Sequence, residues 1–244
     1  MMIRCAARKL TRALGIRTYA DERHWLDDFA SRARDVLFLQ IGAHDGKTDD
    51  KLYRLIQRHG WRGVLLEPVP YLFERLVTNY AGNPRLKFEN SALASSDGTT
   101  TFYRLRQTDD PMPHWYDQLG TMNRDVILRH GREIPDIENY LIEERVACIS
   151  YETLLRKYDI SKVDLILIDT EGSDLEVLRQ IDFKRHRPQL LIYEHKHLSS
   201  SNAGAAVDLL ASQGYRVFGC GDNNVAVPKA SVTWQQQALS FVLH

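Results

Sequence analysis

Acidic and histidine side chains directly follow three apolar runs of the sequence. They are Glu67 after residues 63–66, Asp169 and Glu171 after residues 163–168, and Glu194, His195 and His197 after residues 189–193. Carboxylates accept O–H and N–H donors, and carboxylate or imidazole groups can take a proton from a reacting atom. If these runs are neighbouring strands, their ends predict a single binding and catalytic site.

A glycine-bounded turn, residues 42–46, follows another apolar run at residues 36–41. A phosphate-binding P-loop would need a glycine at position 41, which is Ile41, and a dinucleotide turn would need one at position 44, which is His44. A nucleoside site without a phosphate is the third interpretation, and it needs only room for a ligand against the backbone. Ordinary turn geometry would also explain Gly42 and Gly46.

Glu67 favours the nucleoside interpretation. A carboxylate at the tip of the next strand can accept hydrogen bonds from both ribose hydroxyls, and it repels a phosphate. S-adenosyl-L-methionine has a ribose and an adenine but no phosphate. Taken alone, Glu67 could also be a solvated carboxylate before the proline turn at Pro68. The combination of the glycine turn and Glu67 on successive strand ends favours a binding site.

The surrounding sequence alternates between strand and helix patterns. Such alternation with short links predicts a parallel sheet with helices on both faces, and ligands bind beyond the carboxyl ends of its strands. The predicted strands are residues 36–41, 63–67, 86–92, 145–149, 163–169, 189–194, 215–220, 224–227 and 239–243. The predicted helices are residues 52–59, 71–80 with Leu72, Leu76 and Val77 inward, 151–158, 174–181 and 203–213.

Residues 99–143 interrupt this alternation. Residues 99–105 alternate as a hairpin arm would, whereas residues 106–143 contain three prolines and show weak periodicity. A loop of that length in a compact domain is typical of a lid, so we predict an insertion over the active site. His114, Trp115 and Tyr116 could form a wall for an acceptor, or a small cluster that holds the loop in place.

Composition limits the partners and the location. Lysine plus arginine number 32 and so do aspartate plus glutamate, so nothing in the net charge favours nucleic acid. Cys5, Cys148 and Cys220 are far apart, which argues against a disulfide framework and favours a cytoplasmic location. Residues 1–18 are basic without an acid and predict an amphipathic helix, either in weak contact with a membrane surface or packed on the domain. We expect a helical extension at residues 1–34 and one domain at residues 35–244.

Several segments together resemble the FkbM family of O-methyltransferases, over about residues 36–220. The matching stretches are residues 38–46, 65–68, 90–93, 96–98, 164–172, 175–178, 187–188 and 193–194. The most specific is residues 164–172, which ends in Ile-Asp-Thr-Glu-Gly. The resemblance implies a Rossmann-like class I methyltransferase fold, with a mostly parallel seven-stranded sheet, helices on both faces and an inserted hairpin or lid.

The resemblance also implies a cofactor and an acceptor. The cofactor is S-adenosyl-L-methionine, and the residues expected to contact it are Gln40, Gly42, Ala43, His44, Gly46, Glu67, Pro68, Ser91, Ala92 and Asp169. The acceptor is a hydroxyl of a glycan, a glycolipid or a secondary metabolite. Position 40 is often acidic in such enzymes and lies near the methionine end of the cofactor. Here it is Gln40, which can hydrogen-bond the amino group but adds no charge.

The candidates for removing the acceptor proton are Asp169, Glu171, Glu194 and His195, with His197 less favoured. Each has a structural alternative, such as tying loops together or capping the next helix. No metal is predicted, although Asp169, Glu171, Glu194 and His195 could also hold magnesium. The rival interpretation is a non-catalytic nucleoside-binding or scaffold domain, and a nucleotide hydrolase or oxidoreductase is a weaker one. The paired acids Asp169 and Glu171 favour catalysis.

Overall fold

The computed structural model describes residues 21–232. The strands of this region are β1 (Leu37–Ile41), β2 (Arg62–Leu66), β3 (Leu86–Glu89), β4 (Ala92–Leu93), β5 (Gly98–Leu105), β6 (Gly120–Thr121), β7 (Leu141–Ile149), β8 (Leu165–Ile168), β9 (Leu190–Glu194), β10 (Tyr215–Cys220) and β11 (Asn223–Pro228). Its α-helices are α1 (Glu22–Arg32), α2 (Tyr53–His59), α3 (Pro70–Asn79), α4 (Arg124–Leu128), α5 (Tyr151–Lys157), α6 (Asp174–Gln180) and α7 (Ser200–Ser212).

The main sheet has seven strands in the order β10-β11-β9-β8-β1-β2-β3. Strands β9, β8, β1, β2 and β3 are parallel, and β11 runs antiparallel to both of its neighbours. The predicted seven-stranded, mostly parallel sheet is therefore confirmed. Strand β1 is central, because Leu39 pairs with Val64 on one side and Ile166 on the other. The strand predicted at residues 239–243 lies outside the described residues.

Helices cover both faces of this sheet, as predicted. Because successive side chains of a strand point to opposite faces, Leu39 and Phe38 of β1 enter two different hydrophobic cores. One core receives the buried residues of α5, α6 and α7, and the other receives those of α1 and α2 together with Leu76 of α3. Val77 of α3 was predicted to face inward, but 38% of it is exposed, because the buried face of that helix is formed by Leu72 and Leu76.

Helix α1 packs on the antiparallel end of the main sheet. Asp21 caps it, accepting a hydrogen bond from the backbone N–H of Arg23 at 2.8 Å. The buried Trp25 ring lies 4.7 Å from the ring of Phe218 on β10. The basic segment at residues 1–18 lies outside the described residues. Within residues 21–232, no helix is both long enough and apolar enough to cross a membrane.

A second sheet, in the order β4-β7-β5-β6, stands beside the first. Strand β5 pairs antiparallel with β7 over its whole length, so the predicted arm is one strand of a four-stranded sheet. The prediction of a single strand at residues 86–92 was wrong. It divides after Glu89, and residues 92–93 pair with β7 instead. Sequence periodicity cannot reveal this division, because both halves are short and β-rich.

Residues 106–143 are more ordered than the predicted loop. They contain α4 and three short 3-10 turns, at Tyr116–Gln118, Arg129–Arg132 and Ile137–Asn139. Their apolar side chains form a cluster of their own, separate from the two cores of the main sheet. We call residues 106–140 the lid segment. Each helical piece is only one or two turns long, so no 3.6-residue period builds up in the sequence.

The turn after β1 lies against the end of β8 with no space between them. Gly42 has φ +81°, and a Cβ added there would be 1.8 Å from the carbonyl oxygen of Asp169. The N–H groups of Gly42 and Ala43 both donate to the carbonyl of Leu66, at 3.1 and 2.8 Å. The turn is thereby fixed to the ends of both neighbouring strands.

The close contact between Gly42 and the backbone of Asp169 predicts that Gly42→Ala destabilises the fold far more than Gly60→Ala. Gly60 also has a positive φ, +61°, but an added Cβ there meets no atom within 4 Å. Gly60→Ala should cost only the left-handed conformation, about 1 kcal/mol. Gly42→Ala should cost more than about 3 kcal/mol, because backbone must also move. Urea unfolding of the two variants measures this difference, and equal losses would contradict the assigned contact.

Candidate active site

A cavity of about 310 Å³ opens at the carboxyl ends of β1, β2, β8 and β9. Strand order reverses here, since the chain passes from β1 to β2 on one side and later returns to β8 on the other. That position is where ligands bind in open α/β sheets. The predicted site residues that line the cavity are Gln40, Gly42, Ala43, His44, Glu67, Pro68, Ser91, Ala92, Asp169, Glu171 and Glu194. Gly46 and His195 do not belong to the lining.

Glu67 lines this cavity and is 5% exposed. Its two carboxylate oxygens accept the backbone N–H groups of His44, at 2.8 Å, and Val69, at 2.9 Å. Burial raises the pKa of Glu67 to about 7, although both hydrogen bonds oppose the shift. Each oxygen keeps a second lone pair, so the carboxylate can still accept hydroxyl donors from a ligand.

Gln40, at the end of β1, is 3% exposed and donates its side-chain amide N–H to Asp50. The other oxygen of Asp50 accepts backbone N–H groups at the start of α2, among them that of Leu52 at 2.7 Å. Burial raises the pKa of Asp50 against these hydrogen bonds. Gln40 lines the cavity, and its buried amide oxygen has no hydrogen-bond partner among the described residues.

Gly46 has a packing role, in place of the predicted ligand contact. An added Cβ would lie 2.4 Å from Leu76 and 2.7 Å from Tyr80, and φ is +67°. The glycine therefore allows α3 to approach the turn after β1. Ser91 does line the cavity, but its hydroxyl donates to Glu89 at 2.9 Å, and Glu89 also binds Lys157 at 2.7 Å.

Lys51 was absent from the sequence prediction, yet it forms the main ion pair of the site. Its ammonium group lies 3.0 Å from Asp169, and 18% of its side chain is exposed. Burial lowers the pKa of Lys51, but the charge and hydrogen bond of Asp169, with Glu22 and Glu194, outweigh it and hold the pKa above its ordinary value. A lysine in a polar loop carries no periodic signal, so the sequence could not indicate this pairing.

The Thr-Glu-Gly turn after β8 has two left-handed residues, Glu171 at φ +51° and Gly172 at φ +105°. Asp174, which is fully buried, accepts the hydroxyl of Thr170 at 2.8 Å and the N–H of Glu194 at 3.0 Å. Burial, with the charge of Asp169 next, raises the pKa of Asp174 to about 7. Asp174 thus holds the ends of β8 and β9 together.

His197, which the sequence ranked low, takes the place predicted for His195. Its Nε2 atom lies 2.9 Å from Glu171 and 4.0 Å from Glu194. Strand β9 ends in a turn, closed by the Leu198 N–H on the carbonyl of His195 at 3.1 Å, and the turn brings residue 197 back to the cavity. Burial and the charges of nearby acids raise the pKa of Glu194 well above its ordinary value.

The lid segment forms one side of the cavity. Trp115 and His130 line it, and their rings lie 4.8 Å apart. Of the other two residues predicted as a possible acceptor wall, His114 is exposed and Tyr116 is buried within the lid segment, where its hydroxyl donates to the carbonyl of Arg106 at 2.8 Å. Only Trp115 of the three lines the cavity.

The sheet order, the glycine turn and the buried acid after β2 define a Rossmann-like class I methyltransferase fold. A family model described as the methyltransferase FkbM domain matches residues 40–217. The chain therefore belongs to the FkbM methyltransferase family, whose members generally use S-adenosylmethionine, and methyl transfer is the class of reaction that this membership supports.

Two solved structures illustrate the similarity. A methyltransferase FkbM from Methylobacillus flagellatus is 14% identical with a TM-score of 0.49, and the match covers 80% of this chain and 44% of that one. A precorrin-6y C5,15-methyltransferase from Geobacter metallireducens is 12% identical with a TM-score of 0.42, covering 84% and 85%. The chain thus spans less than half the length of the first structure. No curated protein matches it.

The Lys51–Asp169 pair predicts a strong coupling in a double-mutant cycle. Lys51→Met or Asp169→Asn should each destabilise by about 1–3 kcal/mol, because the remaining partner keeps a partly buried charge. The double variant should lose less than the sum, with a coupling of about 1 kcal/mol or more. The exposed Arg54–Asp27 pair is the matched control and should couple by less. Additive losses at Lys51 and Asp169 in urea unfolding would refute the pairing.

Proposed function

We propose that this chain transfers the methyl group of S-adenosyl-L-methionine to a hydroxyl of a glycan, a glycolipid or a secondary metabolite. The observation that carries the proposal is the buried carboxylate of Glu67 beside the glycine turn, whose residues Gly42, Ala43 and His44 line the same cavity. A carboxylate in that position suits a ribose and disfavours a nucleotide phosphate. The sulfonium of the bound cofactor supplies an electrophilic methyl group.

The residues of the glycine turn and the neighbouring strand ends fit the cofactor. Glu67 would accept the ribose hydroxyls through its remaining lone pairs. The amide oxygen of Gln40, which has no partner among the described residues, would accept a hydrogen bond from the amino group of the cofactor. The carboxylate of Asp50, which binds the amide nitrogen of Gln40, would supply negative charge nearby. Asp50 would thus compensate for the acid that position 40 lacks. Pro68, Ser91 and Ala92 line the cavity beyond Glu67 and would contact the nucleoside.

The acceptor would enter between the lid segment and the ends of β8 and β9. Trp115 offers an aromatic face there, which suits the apolar faces of a sugar ring. Asp169, Glu171, Glu194 and His197 supply polar side chains to the same cavity. A hydroxyl must lose its proton as it attacks, and this group supplies the bases within reach. His195, outside the lining, is not among them.

We also propose a cytoplasmic location and no nucleic-acid partner. A cytoplasmic location is consistent with Cys148 and Cys220, neither of which forms a disulfide within residues 21–232. The balanced charge of the chain gives no reason to expect a nucleic-acid partner. A membrane contact through residues 1–18 stays a prediction.

A turnover assay separates this function from that of a scaffold domain. The chain is incubated with S-adenosylmethionine and a panel of hydroxylated sugars, glycolipids and polyketides, and release of S-adenosylhomocysteine is measured. We expect release only with an acceptor that carries a free hydroxyl, and none with the same acceptor already O-methylated. Binding of the cofactor without release across the panel would favour the non-catalytic nucleoside-binding domain.

Glu67 makes cofactor binding depend on pH. Its raised pKa of about 7 means that the carboxyl is protonated below that pH and ionised above it. An ionised carboxyl accepts two hydroxyl donors, so affinity for S-adenosylhomocysteine should rise by up to about tenfold between pH 6 and pH 8. Between about pH 4.5 and pH 7 the unfolded chain releases this proton while the folded chain keeps it, so the stability of the unliganded fold falls as pH rises through that range.

Glu67→Gln is the control for this dependence. Glutamine keeps the shape and can still accept one backbone N–H, but it does not titrate. The variant should bind more weakly than the native chain at pH 8 and show a nearly flat profile from pH 6 to pH 8. If the variant keeps the same rise in calorimetric affinity, another group titrates and the role assigned to Glu67 is wrong.

A further inference from the structure

Three potential metal ligands gather on one wall of the cavity. Glu171 comes from the turn after β8, and Glu194 and His197 come from the end of β9 and the turn that follows it. One ligand atom from each lies within 4.8 Å of the others. All three residues line the cavity, so the group faces the space that a ligand would enter.

The distances within this group fit a coordination shell better than a hydrogen-bond network. His197 Nε2 is 2.9 Å from Glu171 Oε2, yet that oxygen has no aligned donor among residues 21–232. His197 Nε2 and Glu194 Oε1 are 4.0 Å apart. In an octahedral shell with bonds of about 2.1 Å, adjacent ligands lie about 3.0 Å apart and opposite ones about 4.2 Å.

Glu194 supplies an independent sign of a missing partner. The residue is only 8% exposed, and its Oε2 atom is buried with no hydrogen-bond partner in the described part of the chain. An unsatisfied buried oxygen of this kind costs about 1–3 kcal/mol, and more for a charged group. A bound cation would satisfy it.

The charges around the group are unbalanced. Asp169, which lines the same cavity, and Asp174, which accepts the backbone N–H of Glu194 at 3.0 Å, add to the acidic charge of Glu171 and Glu194. The ammonium of Lys51 is already paired with Asp169 at 3.0 Å. Lys196 lies 3.8 Å from Asp222, with about half of its side chain exposed. A divalent cation would offset this excess.

We propose that Glu171, Glu194 and His197 bind a divalent first-row transition-metal ion. An imidazole ligand beside two carboxylates suits manganese, iron or zinc, whereas magnesium and calcium favour oxygen ligands alone. The site revises the sequence prediction of no metal. It also differs from the magnesium alternative, which relied on His195 in place of His197.

The cation would help to bind and activate the acceptor hydroxyl. That role rests on the proposed function, whereas the binding of the metal does not. As a Lewis acid it would lower the pKa of a bound hydroxyl. Residues that hold a cation are not free to act as bases, so Glu171 and Glu194 would then orient the acceptor through the metal. Asp169 lies outside the ligand set and keeps its pairing with Lys51.

Calorimetric titration of Mn²⁺ into the chelator-treated full chain tests the site. We expect saturable binding at one ion per chain, competed by Zn²⁺ and little affected by an equal concentration of Mg²⁺. Glu194→Gln and Glu171→Gln should each weaken Mn²⁺ binding by more than about tenfold, as expected for loss of a ligand. Glu176→Gln, at a 52% exposed carboxylate on α6, is the matched control and should bind as the native chain does.

Three results would overturn the proposal. They are the absence of saturable Mn²⁺ binding below about 1 mM, undiminished binding by Glu171→Gln or Glu194→Gln, and equal competition by Mg²⁺. Thermal unfolding checks that each variant is folded, and the partly exposed Glu171 keeps the test informative if Glu194→Gln does not fold. Titration of S-adenosylhomocysteine into the metal-free chain reports on the proposed function separately, because Glu67 and the glycine turn lie outside the ligand set.

Discussion

The close approach of Gly42 to the backbone of Asp169 is the contact on which the site depends. A parallel sheet brings the carboxyl ends of β8, β1 and β2 to one edge, and the turn after β1 then has no room for a side chain at position 42. Its N–H groups are held by the carbonyl of Leu66, so the next N–H, that of His44, meets the carboxylate of Glu67. The main chain thus fixes the position of the Glu67 carboxylate in the unliganded protein.

Buried charge is the second feature that shapes this cavity. Five acids, namely Asp50, Glu67, Asp169, Asp174 and Glu194, stand at or near the strand ends, and most are satisfied by backbone N–H groups, by Gln40 or by Lys51. Such groups cost stability unless each is hydrogen-bonded or paired. Glu194 is the member whose oxygen lacks a partner within the described residues, and it lies beside His197. Uneven satisfaction of this kind is typical of sites that bind ligands.

Local sequence signals predicted the centre of the main sheet well, because β1, β2, β8 and β9 are short, mostly apolar runs bounded by glycine, proline or an acid. The same signals located Gly42, Glu67 and Asp169 at strand ends. They failed where three-dimensional neighbours decide the outcome. Gly46 serves the packing of α3, and His197 instead of His195 returns to the cavity because of a turn that no periodicity encodes. The ion pair of Lys51 with Asp169 joins residues that are far apart in sequence, and no local pattern in a single sequence indicates it.

The proposed function requires that the cavity bind a nucleoside without a phosphate, with Glu67 on its ribose. Its most direct test is calorimetric titration of the native chain at pH 8 with S-adenosylhomocysteine, ATP and NAD in parallel. We expect one bound S-adenosylhomocysteine per chain and no measurable heat from ATP or NAD, because the ionised carboxylate repels phosphate. Tighter binding of ATP or NAD than of S-adenosylhomocysteine would contradict it.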